Sequence, residues 1–245
     1  MTHKQIRQQF REMSGRYELV DEAGGDRGAD FYINAGQRFL DGLETVKKAE
    51  ARVFRLLAAN HYGVQFQYSR AIKEVWAASV GTSGMSRWQL TKMDIQELRA
   101  IYASLPSDID SGDPLYYTPA VLRLAPGTPL TEIQSLEGFL GYADVSINRQ
   151  QEYNGVIVMP PPSVQTMIEV WGLFYSEPLV ADEDESYWST VHPELLLMAS
   201  MRTLEEFYRN SQGVNDWTNA IKQRIVLLGM DTVEEDISEC NQMKG

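Results

Sequence analysis

The most constraining stretch of this chain is residues 166–175, Thr-Met-Ile-Glu-Val-Trp-Gly-Leu-Phe-Tyr, which follow the proline run Pro160-Pro161-Pro162. At a period of two, Ile168, Val170, Gly172 and Phe174 point one way and Met167, Glu169, Trp171 and Leu173 the other. Large apolar groups on both faces predict an interior strand, or one covered by a partner. The prolines cannot donate ladder hydrogen bonds, so they fix an extended entry into that strand. Any fold for this chain must therefore supply neighbours for it.

The flanking elements follow from the same periodicities. Residues 2–13 read as a short amphipathic helix carrying Ile6, Phe10 and Met13, and Phe31, Ala35, Phe39, Leu40 and Leu43 form the stripe of a second helix. Asp30, or Asp26 upstream, is placed to cap the start of that second helix. A third helical run is expected over 45–59, with Lys48, Arg52 and Arg55 spaced by 4 and 3 along one outer face. Alternation then takes over at Val64, Phe66 and Tyr68 and continues through Ile72 and Val75-Trp76. Residues 81–86 read as a loop, and a helix is expected from Thr91 to a stop at Pro106. Strands are expected at 115–124 and 156–159, with 126–153 between them as an insertion.

Past the acidic loop 181–186, Pro193 suits a first helical position. Helices over 194–210 and 214–228, separated by Gly213, predict a hairpin, with 229–245 an acidic, mobile tail. The expected fold class is α+β: a helical bundle including a C-terminal helical hairpin, with an antiparallel β meander. The expected division is 1–62 for N-terminal helices and 63–180 for a β-rich region holding the 126–153 insertion. Residues 181–228 are the hairpin and 229–245 the tail.

Charge narrows the function classes. The chain has 22 Lys and Arg against 34 Asp and Glu, a net of −12. Residues 1–123 hold 16 basic and 15 acidic side chains, and residues 124–245 hold 6 and 19. Affinity for nucleic acid comes from cations that displace phosphate counterions, so the second half is a poor grip for DNA. Cys240 is the single cysteine, which excludes an internal disulfide and a multi-thiolate zinc site. The polar N-terminus lacks a signal-peptide core, and no stretch approaches the length of a membrane span, so folding in a reducing cytoplasm without membrane attachment is expected.

The candidate chemistry is sparse. Asp182-Glu-Asp-Glu185 lacks the alternating ligands, turn glycine and distant glutamate of a calcium loop, and reads as an exposed acidic loop. His3, His61 and His192 have no metal-ligand spacing, and Gly-x-Ser-x-Gly, P-loop and dinucleotide patterns are absent. No catalytic residue, metal or cofactor is therefore assigned. Trp171, Tyr187 and Trp188 around the acidic loop, with Lys48, Arg52 and Arg55, are the candidate interface residues, though core packing explains each aromatic about as well and a solvated face explains the cations better.

Between about residues 29 and 235 an ordered set of motifs carries a resemblance. They are Phe31-Tyr-Ile-Asn-Ala-Gly-Gln-Arg-Phe-Leu40, the strand pair through Trp76, Gly112-Asp-Pro-Leu-Tyr-Tyr117 and Gly155-Val-Ile-Val-Met-Pro-Pro-Pro162. Ile168-Glu-Val-Trp-Gly-Leu-Phe-Tyr175, Pro178-Leu179, Asp182-Glu-Asp-Glu185, His192-Pro-Glu-Leu-Leu-Leu197, and Trp217 with Ile221 complete the set. In that order the chain resembles the adaptor (head–tail connector) proteins of tailed bacteriophages. The insertion at 126–153 departs from the family pattern.

The resemblance implies a structural protein of the virion neck, assembled in the host cytoplasm, with no reaction to catalyse. It implies a ring of copies, a dodecamer in the family's usual form, beneath the portal protein, offering a platform to the next connector or tail protein. Genomic double-stranded DNA would pass through without specific binding, and an acidic wall suits that passage. The tail, with Met230, Val233, Ile237 and Met243, is then the expected portal-docking segment. The alternatives are another tail-completion or virion assembly protein, or a hydrolase using paired carboxylates around 177–194.

Overall fold

The computed structural model describes residues 1–43, 50–66, 68–79, 86–102, 109–123 and 152–240. Among them the chain forms six α-helices and eight strands in two compact units. One unit is Met1–Ala49 with Tyr175–Gly245, and the other is Glu50–Phe174.

The first unit is helical: α1 (His3–Ser14), α2 (Ala29–Asp41), α4 (Tyr187–Val191), α5 (Pro193–Phe207) and α6 (Ser211–Cys240), with α3 (Ile95–Ile101) belonging to the second unit. Thr2 and Gln5 close a capping box at the start of α1, the Thr2 hydroxyl accepting from the Gln5 amide. Gly28 precedes α2 at φ +123°, a conformation that favours glycine. Asp26 there accepts from the backbone amides of Gly28 and Asp30 at 2.9 and 3.0 Å, so Asp26 is the residue that ties down the start of α2. The core joins Ile6 and Phe10 of α1, Ile33 and Leu40 of α2, Leu195, Leu196 and Leu204 of α5, and Ile221 and Ile225 of α6. Helices α2 and α5 approach so closely that a Cβ on Gly36 would lie 2.6 Å from the Ser200 backbone nitrogen.

The second unit holds two four-stranded sheets. Strands β1 (Glu50–Leu57), β8 (Thr166–Phe174), β3 (Ser69–Ser79) and β4 (Arg87–Gln89) form one sheet in that order, every pair antiparallel. Strands β2 (Gly63–Gln65), β7 (Glu152–Met159), β6 (Tyr116–Arg123) and β5 (Thr91–Lys92) form the other, in which β5 and β6 run parallel. Leu57, Val75, Ala77, Ile168 and Val170 of the first sheet share one core with Val64, Tyr117, Val156 and Val158 of the second.

This overturns the expected helical bundle with a single antiparallel meander. Strand β8 inserts between β1 and β3, and β7, its predecessor in the chain, lies in the other sheet. Side-chain pattern tells which faces of a strand are covered but not which strands pair along its edges, and the proline run between β7 and β8 breaks the ladder that a meander would need there.

Other local corrections follow. Residues 50–57, expected as part of a helix over 45–59, form strand β1 along β8. Val53, Phe54 and Leu57 suit either period, and pairing with β8 decides between them. Helix α3 begins at Ile95 because Asp94 caps it by accepting from Gln96, while Thr91 and Lys92 pair with Tyr116 and Tyr117. Helix α6 continues through Cys240 instead of ending at 228. A single glycine at 229 costs a helix only about 1 kcal/mol, and no proline follows to stop it. The insertion 126–153 lies outside the described residues except for 152–153, which open β7.

Candidate functional site

Residues of β1, β3, β4 and β8 build one cluster on the outer face of the first sheet. Alternation turns Ile168 and Val170 inward and Glu169 and Trp171 outward. The register sets Arg52 opposite Trp171, Trp76 opposite Glu169, and Ala78 opposite Arg87. The Glu169 carboxylate, only 4% exposed, receives the Trp171 indole N–H at 2.7 Å. It also pairs with Arg52 Nε at 2.9 Å and with an Arg87 terminal nitrogen at 2.7 Å. Each guanidinium lies over an indole, Arg52 at 4.0 Å from the Trp171 ring centre and Arg87 at 4.3 Å from that of Trp76. The Trp76 N–H donates to Glu74 at 3.1 Å, and Lys73 pairs with Glu50.

Of the residues expected at an interface, Trp171 and Arg52 thus come together. Arg55 does not join them, because residues three apart on a strand point to opposite faces; it is exposed on the other side of β1. Lys48 lies outside the described residues. Glu169, Arg87 and Trp76 are members of the cluster that sequence reasoning missed. The alternation of 166–175 already set Glu169 and Trp171 on one face, but Arg87 and Trp76 reach them only through strand pairing.

Tyr187 and Trp188 belong to the helical unit. Trp188 is a core residue, buried with its indole N–H donating to Asp41 at 2.6 Å. Asp41 also accepts from the amide and hydroxyl of Ser176 at 2.7 and 3.1 Å. Tyr187 packs edge-on against Trp188 and His192. These contacts explain Trp188 as packing, and only Tyr187 keeps a partly exposed ring.

The acidic loop is held in place by the start of α1. Carbonyls of Asp184 and Asp182 accept from the His3 and Lys4 amides, two of the donors that every helix N-terminus leaves open. Arg7 is buried and donates to Asp30 at 2.6 Å and to Asp182 at 2.5 Å, and His3 Nε2 lies 3.0 Å from Asp30. Burial alone would raise the Asp30 carboxyl, but hydrogen bonds from His3 and Arg7 hold it below its ordinary range. Amides of Val180 and Ala181 likewise hold Asp184 low. Asp182, Asp184 and Glu194 are therefore drawn to separate partners, with Glu194 beside Arg224 and His192 at 3.8 Å. No group of three His, Cys, Asp or Glu side chains converges as a metal site among the described residues.

The expected docking residues Met230, Val233 and Ile237 lie along α6, and Met243 lies outside the described residues. Just before them, Val226 is 59% and Leu227 62% exposed. No helix among the described residues is long and apolar enough to cross a membrane.

No protein-family model matches this chain, and no curated protein sequence matches it.

Proposed function

We propose that this protein is a structural connector of the virion neck, an adaptor that forms a ring under the portal protein and presents a docking platform to the next connector or tail protein. The observation that carries the reading is helix α6. Its packing against the helical unit runs through Ile221, Ile225 and Leu228, and the helix then continues for twelve residues to Cys240. Those twelve residues span about 18 Å at the usual rise.

Along the second half of α6, Val226, Met230, Val233 and Ile237 follow at spacings of 4, 3 and 4, while Asp231, Glu234, Glu235, Asp236 and Glu239 supply five acids and no base intervenes. Such spacing is that of a helix seated in an apolar groove of another protein. A long helix bearing such a stripe suits a chain built to dock. The resemblance of the ordered motifs to those of phage adaptors makes the portal the partner to test, and the acidic second half suits a tunnel wall past which DNA slides without being gripped.

Co-sedimentation with purified portal tests the reading. The intact chain is expected to bind, and a chain ending at Leu228 to bind at least about tenfold more weakly, as for loss of several interface anchors. Equal binding by the two chains would remove the docking role of α6.

A further inference from the structure

We propose that His3 is a proton-operated latch between helix α1 and the acidic loop 181–186: the imidazolium binds the Ala181 carbonyl of the loop, and the neutral ring gives it up for Arg7.

The ring is fully buried. Its Nε2 lies 3.0 Å from Asp30 Oδ1 at the start of α2. Its Nδ1 has two neighbours that make opposite demands. The Ala181 carbonyl oxygen, 3.2 Å away, can only accept a hydrogen bond, and Arg7 Nη2, 3.1 Å away, can only donate one. One nitrogen cannot answer both at once, so the proton on Nδ1 decides which contact is a bond.

The charged groups around the ring are Arg7 on its own helix, Asp30 on α2, and Asp182 and Asp184 in the loop. A neutral ring keeps its single proton on Nε2, because the other tautomer would aim a lone pair at the Asp30 carboxylate. Nδ1 then accepts from Arg7, and the Ala181 carbonyl is left with the Asp184 amide at 3.1 Å, a bond within the loop itself. A second proton makes both nitrogens donors. Nδ1–H then ties the loop to α1, while Arg7 still reaches Asp30 through Nε at 2.6 Å and Asp182 through Nη1 at 2.5 Å. The backbone bonds from the His3 and Lys4 amides to the loop persist in both states, so deprotonation loosens the loop without detaching it. Histidine ordinarily changes charge near neutral pH, which makes the choice reversible under mild conditions. The exposed Glu183 and Glu185 ride on this loop, so the latch sets how firmly those surface carboxylates are presented.

NMR of the histidine ring nitrogens and backbone amides of the full chain, from about pH 5 to about pH 8.5, tests this. His3→Gln assigns the His3 signals, His61→Gln and His192→Gln serve as controls, and circular dichroism establishes that each variant is folded. His3 is expected to carry protons on both nitrogens at the acid end and on Nε2 alone at the alkaline end. The Val180 and Ala181 amide signals are expected to shift with the same midpoint. Their hydrogen exchange, corrected for the intrinsic effect of pH, should quicken at least about threefold on the alkaline side, as for loss of one hydrogen bond. His3→Gln, which cannot titrate, is expected to abolish the loop response, and the two control variants to retain it. A His3 ring that keeps one protonation state across the range would overturn the proposal, a result read on the parent chain without any variant. A ring that titrates while the loop amides stay still would overturn it too, as would a loop response that survives in folded His3→Gln.

Discussion

Arginine–carboxylate clusters occur in both units, and the two differ in what they hold. In the helical unit, Arg7 is buried and joins three segments far apart in the chain: α1, the start of α2 through Asp30, and the acidic loop through Asp182. On the sheet of the other unit, Arg52 and Arg87 remain about half exposed, and only the carboxylate between them is buried. Water screens the pairs of a buried guanidinium less than those of a half-exposed one, and the latter contribute little each. The first cluster therefore fastens distant segments of the fold, and the second ties neighbouring strands together on an open sheet face.

The sharpest way to break this contrast is to neutralise one arginine of each cluster. Arg7→Met is expected to cost about 1–3 kcal/mol in urea unfolding, because Asp30 loses its closest cation while the half-exposed Asp182 is screened by water. Arg52→Met is expected to cost about 1 kcal/mol or less, since Arg87 still faces Glu169. Equal losses would erase the distinction between fastening and surface.

Close backbone approaches sharpen the same comparison. Gly36→Ala drives a methyl into the α5 backbone at Ser200, and Gly172→Ala drives one into the Ala71 carbonyl beside the irregular stretch of the β3–β8 pairing. Each is expected to cost about 1–3 kcal/mol. Hydrogen exchange should show the loss of protection concentrated in α2 and α5 for the first and in β3 and β8 for the second. A uniform loss in both variants would mean that the two units do not respond separately.

Acid provides a smaller, graded probe. Asp30 has its carboxyl held low in the folded state, so its contribution is present above the unfolded carboxylate value near pH 4 and is lost as pH falls through the lower folded value. Unfolding experiments between about pH 4 and pH 2 are expected to show α1 and α2 losing protection, and Asp30→Asn to flatten that dependence. At the bottom of the scale, Thr2→Ala removes the α1 cap and is expected to cost about 0.5–1 kcal/mol in thermal unfolding.

How much of this was legible in the sequence follows from the range of each interaction. The interior place of 166–174, the proline-separated strands and the start of α5 at Pro193 depend on neighbours in the chain, and pattern alone exposes them. Residues 50–57 do not reveal their strand that way: Val53, Phe54 and Leu57 fit two periods, and only β8 decides. The strand order was hidden for the same reason, since nothing local states that β8 inserts between β1 and β3. Trp171 and Arg52 were legible as interface residue types, yet their meeting with Glu169, Arg87 and Trp76 spans 117 positions from Arg52 to Glu169. Trp188 stood open between interface and core because the sequence cannot show that Asp41 accepts its indole N–H.

The central claim, a connector that assembles on a portal, is tested most directly by imaging. Purified portal should be examined by negative-stain electron microscopy with and without the full-length chain. The account predicts an additional closed ring of density at one end of the portal, present only when the chain is added. Portal particles unchanged by saturating amounts of a folded chain would contradict it.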